Sequence, residues 1–176
     1  MELIESVEDF VTTQDYTSRK MISGVEIIEL PVFTDDGGLF LEIGRFDDQG
    51  TLESPAVKPR QISYSMVLPG AIKAWHLHRK QEDVWFVPPH ERLLLGLWDC
   101  RKDSDTEDQL SRIVLGGGRG QLVRIPMGVA HGCANLSNAP ASIFYFVTQQ
   151  FDIKDPDELR FKWDTFGKEF WEMEKG

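Results

Sequence analysis

The sequence is poor in cysteine. Two thiols in 176 residues, Cys100 and Cys133, cannot build a disulfide framework. They read as small buried apolar side chains in a reducing compartment. No apolar run approaches the ~20 residues of a membrane-spanning helix. The start, MELIESVEDF, carries acids where a secretory signal carries lysine or arginine. Positive charge is also scarce: 19 lysines and arginines face 29 acids, a net charge of -10. A chain so charged is a poor partner for nucleic acid, which needs a basic face, or for an anionic membrane surface. No repeat, linker or low-complexity tract interrupts it. These absences leave a soluble, cytoplasmic protein of one domain, with small ligands still open.

What is present is β-rich. Residues 1–23 form a lead-in whose Leu3, Ile4, Val7, Phe10 and Val11 have helical spacing. Residues 24–176 form a single domain. Short runs of β-branched and aromatic residues recur at 25–30, 39–43, 61–68, 71–78, 84–87, 93–98, 112–115, 121–125, 130–135 and 142–148. Turn signals such as Asp35-Asp36-Gly37-Gly38, Pro69-Gly70 and Gly116-Gly117-Gly118 separate them. Ten strands so spaced predict an all-β sandwich or small barrel. The Gly116–Gly120 stretch lacks the Lys-Ser/Thr ending of a phosphate loop and reads as a hairpin turn. Trp163, Phe166, Phe170 and Trp171 suit one face of a C-terminal helix packed on the barrel.

Only four histidines occur. His76 and His78 are two apart on an expected strand, so their imidazoles face one way and Trp75 and Leu77 the other. Glu82 follows across a polar turn, and His131 comes later in the chain. Each alone is often a satisfied core or rim residue. Together, imidazoles and one carboxylate on rigid strands can hold Fe, Mn, Ni, Zn or Cu with positions open for substrate. His90, between Pro89 and Glu91, reads as a solvated turn residue.

The spacing resembles the two signature motifs of the cupin superfamily. Gly70, His76, His78 and Glu82 fit the first, with Pro89 where a glycine is usual. Gly120, Pro126, Gly128, His131 and Asn135 fit the second. The resemblance implies a double-stranded β-helix, the cupin jelly roll, with short helical segments at both termini and the site in its mouth.

A second resemblance runs from about Gly24 to Trp171, to the dTDP-4-dehydrorhamnose 3,5-epimerase family. Val32-Phe-Thr-Asp-Asp-Gly-Gly-Leu-Phe-Leu-Glu42 is similar to that family's early Phe-x-Asp-x-Arg-Gly-x-Phe-x-Glu segment. Ile72-Lys-Ala-Trp-His76, Asp99-Cys-Arg-Lys-Asp-Ser104, Ile125-Pro-Met-Gly-Val-Ala-His-Gly132, Ile143-Phe-Tyr145 and Trp163-Asp164 resemble later segments. The resemblance implies a metal-free, cofactor-free isomerase acting on a nucleotide-linked sugar. His76 is then the base beside a ketone, Asp164 its orienter and Tyr145 the acid on the opposite face. It further implies Lys73 and His131 as stabilisers of the enolate, Glu42, Gln61 and Arg60 as substrate-binding residues, and a homodimer.

Two departures stand out. Gly37 and Lys73 replace arginines of the family pattern, and lysine meets phosphate only as a point charge. Lys58, Arg60, Arg79 and Lys80, near Lys73 in sequence, are the cations available to replace that grip. His78 and Glu82 are metal-ligand types that the metal-free epimerases lack. The alternative is therefore a metal-dependent isomerase or dioxygenase using His76, His78, Glu82 and His131. A non-catalytic sugar-binding cupin is a third reading.

Overall fold

The computed structural model describes residues 4–13 and 20–174. Leu3, part of the expected N-terminal helix, lies outside them. Ile4 and Val7 belong to a short helix, Glu5–Glu8 or its N-cap, and Phe10 and Val11 follow it exposed.

Strand alternation builds two facing sheets. One orders β1 (Glu26–Leu30), β9 (Gly120–Ile125), β6 (Asp83–Phe86), β11 (Ala141–Val147) and β4 (Gln61–Val67). The other orders β12 (Leu159–Arg160), β5 (Ile72–Leu77), β10 (Val129–Ala134), β7 (Arg92–Asp99) and β8 (Leu110–Gly116). A separate hairpin joins β2 (Val32–Asp35) to β3 (Gly38–Leu41). Every pairing in the three sheets is antiparallel. The all-β jelly roll expected from the sequence is the observed fold. Two short strands, β2 and β12, escape the sequence pattern because four and two residues carry too little periodicity.

Alternate residues of β7 divide two apolar layers. Leu93, Leu95 and Leu97 point between the sheets, where they meet Val123, Ile125, Ile143 and Trp85. Ile22, from the expected lead-in, is buried in this same core. Leu94 points outward, into a layer with Trp75 and Trp171. That outer layer is closed by the C-terminal segment, which is not the continuous helix its aromatics suggest. Gly167, at φ 78, interrupts it, and only a 3-10 turn, Lys168–Trp171, remains. Three of its four aromatics still reach their place: Phe166, Phe170 and Trp171 lie 5.6, 5.2 and 4.9 Å from Trp75, ring centre to ring centre, while Trp163 stays exposed.

The Asp99–Ser104 turn is a structural knot. Buried Asp99 accepts from Arg101, Ser104 and Thr106, while Arg101 donates to the Ser23 carbonyl. It pins the chain entering β1 to the end of β7.

Candidate active site

A cavity of about 560 Å³ opens between the two sheets. β5, the residue that follows it and β10 supply its histidines. His76 and His131 are directly opposite in the β5–β10 register, and their rings stack 6.2 Å apart at 13°. His78 lies on the same face, 5.3 Å from His131. This close approach of strands depends on Gly132: a Cβ there would stand 2.4 Å from that of Ala74. Trp75 and Leu77 point away into the outer apolar layer, as alternation requires.

The facing sheet supplies Tyr145 from β11 and Asp83 and Trp85 from β6. Trp85 stands edge-on to both Tyr145, at 5.1 Å, and His131, at 5.3 Å. Tyr145 and His76 therefore line one cavity from opposite sheets. Burial pushes the Tyr145 hydroxyl well above its ordinary pKa, so it keeps its proton.

His76 is held by a residue the sequence did not single out. Its Nδ1 lies 3.0 Å from Glu158, which arrives just before β12, where Arg160 pairs with His76 in register. A carboxylate on Nδ1 favours the tautomer with Nε2 unprotonated. Burial, then the charges of His131 and Arg160, lower the His76 pKa to about 4, against the opposing pull of Glu158. Asp157 anchors the strap that delivers Glu158. Its carboxylate accepts from the backbone N–H groups of Arg79, Lys80 and Gln81, and its carbonyl meets His78 Nδ1.

Asp164, expected to orient His76, is exposed in the C-terminal segment and off the cavity wall. The aspartate directly after Trp163 sits beyond β12, while Glu158 precedes it. Glu82 also departs from its expected place. Strand alternation turns it outward, and Arg124 grips both of its oxygens at 3.0 and 3.1 Å. The ligand set His76, His78, Glu82 and His131 therefore does not converge, and does not fit a metal. His78, Asp83 and His131 do bring ligand atoms within 4.8 Å of one another. The Asp83 oxygens, however, already accept from Gln81 Nε2 and Trp85 Nε1.

Among the expected substrate-binding residues, Lys73, Gln61 and His131 line the cavity. Lys73 donates to the Met66 carbonyl, and Gln61 bridges Ser63 and the Phe151 N–H. Arg60 is exposed off the wall, and its backbone N–H holds Val147. Glu42 sits after the β2–β3 hairpin, paired with Arg45 and away from the cavity. Lys80 is on the wall, tied to Asp155, while Lys58 and Arg79 are not. The expected basic cluster therefore leaves two lysines there, on a wall that also carries Asp152, Asp155, Asp157 and Glu158.

Comparison with known proteins agrees with this architecture. The family model described as dTDP-4-dehydrorhamnose 3,5-epimerase matches residues 19–173. The chain is 41% identical over 145 residues to the spore coat polysaccharide biosynthesis protein SpsL of Bacillus subtilis (strain 168), covering 82% of this chain and 91% of that one. It is 34% identical over 143 residues to the probable low-salt glycan biosynthesis epimerase Agl13 of Haloferax volcanii, covering 81% and 89%. Among solved structures, a dTDP sugar isomerase from Desulfovibrio desulfuricans G20 superposes with a TM-score of 0.71 at 26% identity, covering 82% and 87%.

Proposed function

This chain belongs to the dTDP-4-dehydrorhamnose 3,5-epimerase family, and from that premise we propose that it inverts carbons next to the ketone of a dTDP-linked 4-keto-6-deoxy sugar. The observation that carries the reading is the opposition of His76, with an open Nε2 and Glu158 behind it, to a protonated Tyr145 across one cavity.

His76 Nε2 takes the proton α to the carbonyl, and the C–H electron pair moves to place charge on the carbonyl oxygen. Glu158 stabilises the imidazolium that forms. His131 and Lys73 face the oxyanion. Tyr145 returns a proton to the carbon from the opposite side, and solvent resets both side chains. Inversion follows because removal and return come from opposite sheets. Gln61 holds the sugar through its side-chain amide.

The nucleotide-linked form of the substrate is supported by the family description. A homodimer is supported by β4, an edge strand whose outer face shows Ile62, Tyr64 and Met66, with Leu68 just beyond its end, each at least half exposed. A cytoplasmic enzyme suits two free thiols, Cys100 and Cys133.

The test is incubation of the enzyme with a dTDP-4-keto-6-deoxy sugar in deuterated water. Deuterium entering next to the ketone is the expected result. Tight binding without exchange by folded protein would instead favour a sugar-binding cupin.

A further inference from the structure

On the cavity wall the mechanism above leaves one buried carboxylate unused, and its surroundings define what it does. Asp83 opens β6 at the cavity floor, buried, beside Glu82 in sequence but on the opposite face of the chain. Its Oδ1 accepts from Gln81 Nε2 at 2.7 Å and its Oδ2 from Trp85 Nε1 at 3.1 Å. Both partners can only donate at those atoms, so they suit the ionised form. Burial raises the Asp83 pKa, but the hydrogen bonds and positive charge around it outweigh burial and hold the carboxyl below its ordinary range.

His131 stands over this carboxylate. Its Nδ1 lies 3.1 Å from the Val129 carbonyl, an acceptor without a proton, so Nδ1 carries the hydrogen. Nε2 then faces Asp83 Oδ2 at 3.5 Å. A bare lone pair opposite a carboxylate is repelled in a buried site, whereas an N–H there is attracted. At 3.5 Å the contact is too long to be a strong hydrogen bond. The carboxylate favours the proton without consuming the donor. On the same wall stand His76 and the cation Lys73 from β5, His78 just after that strand, Cys133 from the strand of His131 and Tyr145 from β11, none of which is an anion in this arrangement.

We propose that Asp83 is a positioning residue that keeps a proton on His131 Nε2, so that His131 presents a charged N–H to the oxyanion formed when His76 removes its proton. The two stacked histidines then divide the labour: one neutral with an open nitrogen, the other cationic with an offered hydrogen. This rests on the proton-transfer reading above and names the group that makes its enolate bearable.

The experiment has two arms. In the first, nitrogen-15 NMR of the imidazoles at neutral pH, without substrate, should show both His131 nitrogens protonated in the wild type. In folded Asp83→Asn one of them should be bare. In the second, Asp83→Asn should slow deuterium exchange into substrate by about 10²-fold, the cost of impairing one oxyanion donor, with little change in KM. In a His131→Gln background the same substitution should cost no more than about 2-fold further, because Asp83 acts through His131. A neutral His131 in the wild type would overturn the proposal, with no variant needed. So would losses that multiply in the double variant, or stoichiometric bound metal whose removal restores free histidine signals. Wild-type protein that exchanges nothing, yet shows a doubly protonated His131, would overturn the epimerase reading and the enolate role while leaving the Asp83–His131 pair standing.

Discussion

At the scale of single residues, the site turns on how differently two similar imidazoles are treated. His76 is 25% exposed and backed by Glu158, and its pKa is lowered to about 4 by burial and by neighbouring positive charge. The base must be neutral to act, so the acid limb of kcat/KM should fall near pH 4 rather than near 6.5. A pH–rate profile of the free enzyme checks this. The same shift has a stability consequence. The folded protein binds this proton less readily than the unfolded chain, so the contribution of His76 is complete above about pH 6.5 and is lost as pH falls through about 4. Denaturation of His76→Asn should show a shallower loss over that window. Glu158→Gln keeps the shape but removes the charge that stabilises the imidazolium, and should lower kcat by about 10²-fold, within the range of general acid–base contributions. His76 and His131 were legible in the sequence because motif spacing fixes them on strands, and Tyr145 only through the family resemblance. Glu158 was not, because it reaches His76 from 82 residues away through a strap with no periodicity. Asp83 was hidden by Glu82, whose position satisfies the motif although alternation turns its side chain to Arg124.

At the scale of elements, β4 shows why a strand pattern must be read with its surroundings. Gln61, Ser63 and Ser65 face inward and Ile62, Tyr64 and Met66 outward, the reverse of ordinary half-buried alternation. The inversion is physical: the inner face lines a polar cavity, and the outer face is apolar at a sheet edge. Periodicity located β4 correctly but could not say which face was which. β5 and β10 depend on backbone proximity. Gly132→Ala places a methyl against Ala74, and overpacking of that kind costs about 1–3 kcal/mol. Because Gly132 follows His131, this variant should lose exchange activity as well as thermal stability, whereas Leu94→Val, remote from the cavity, should lose stability alone. The C-terminal segment works by side chains more than by helix. Trp171→Ala should cost about 3–5 kcal/mol, the range for a buried aromatic, read from the denaturation midpoint.

At the scale of the whole molecule, the net charge of -10 is not relieved at the cavity. The wall carries two lysines, Lys73 and Lys80, and four acids on the strap, Asp152, Asp155, Asp157 and Glu158. The apolar outer face of β4 predicts association. Sedimentation should give a dimer for the wild type, and Met66→Glu, which sets a charge in that stripe, should shift it toward monomer. The fold class was legible because ten strands announced themselves between turns; the pairing of distant segments into one cavity was not. The central claim is that His76 and Tyr145 act on one carbon from opposite sheets. It is tested most directly by following deuterium exchange and configurational inversion together in Tyr145→Phe. Exchange should persist with retention, since His76 can remove and return the proton on its own side, while inversion is lost. Inversion at the wild-type rate in that variant would contradict it.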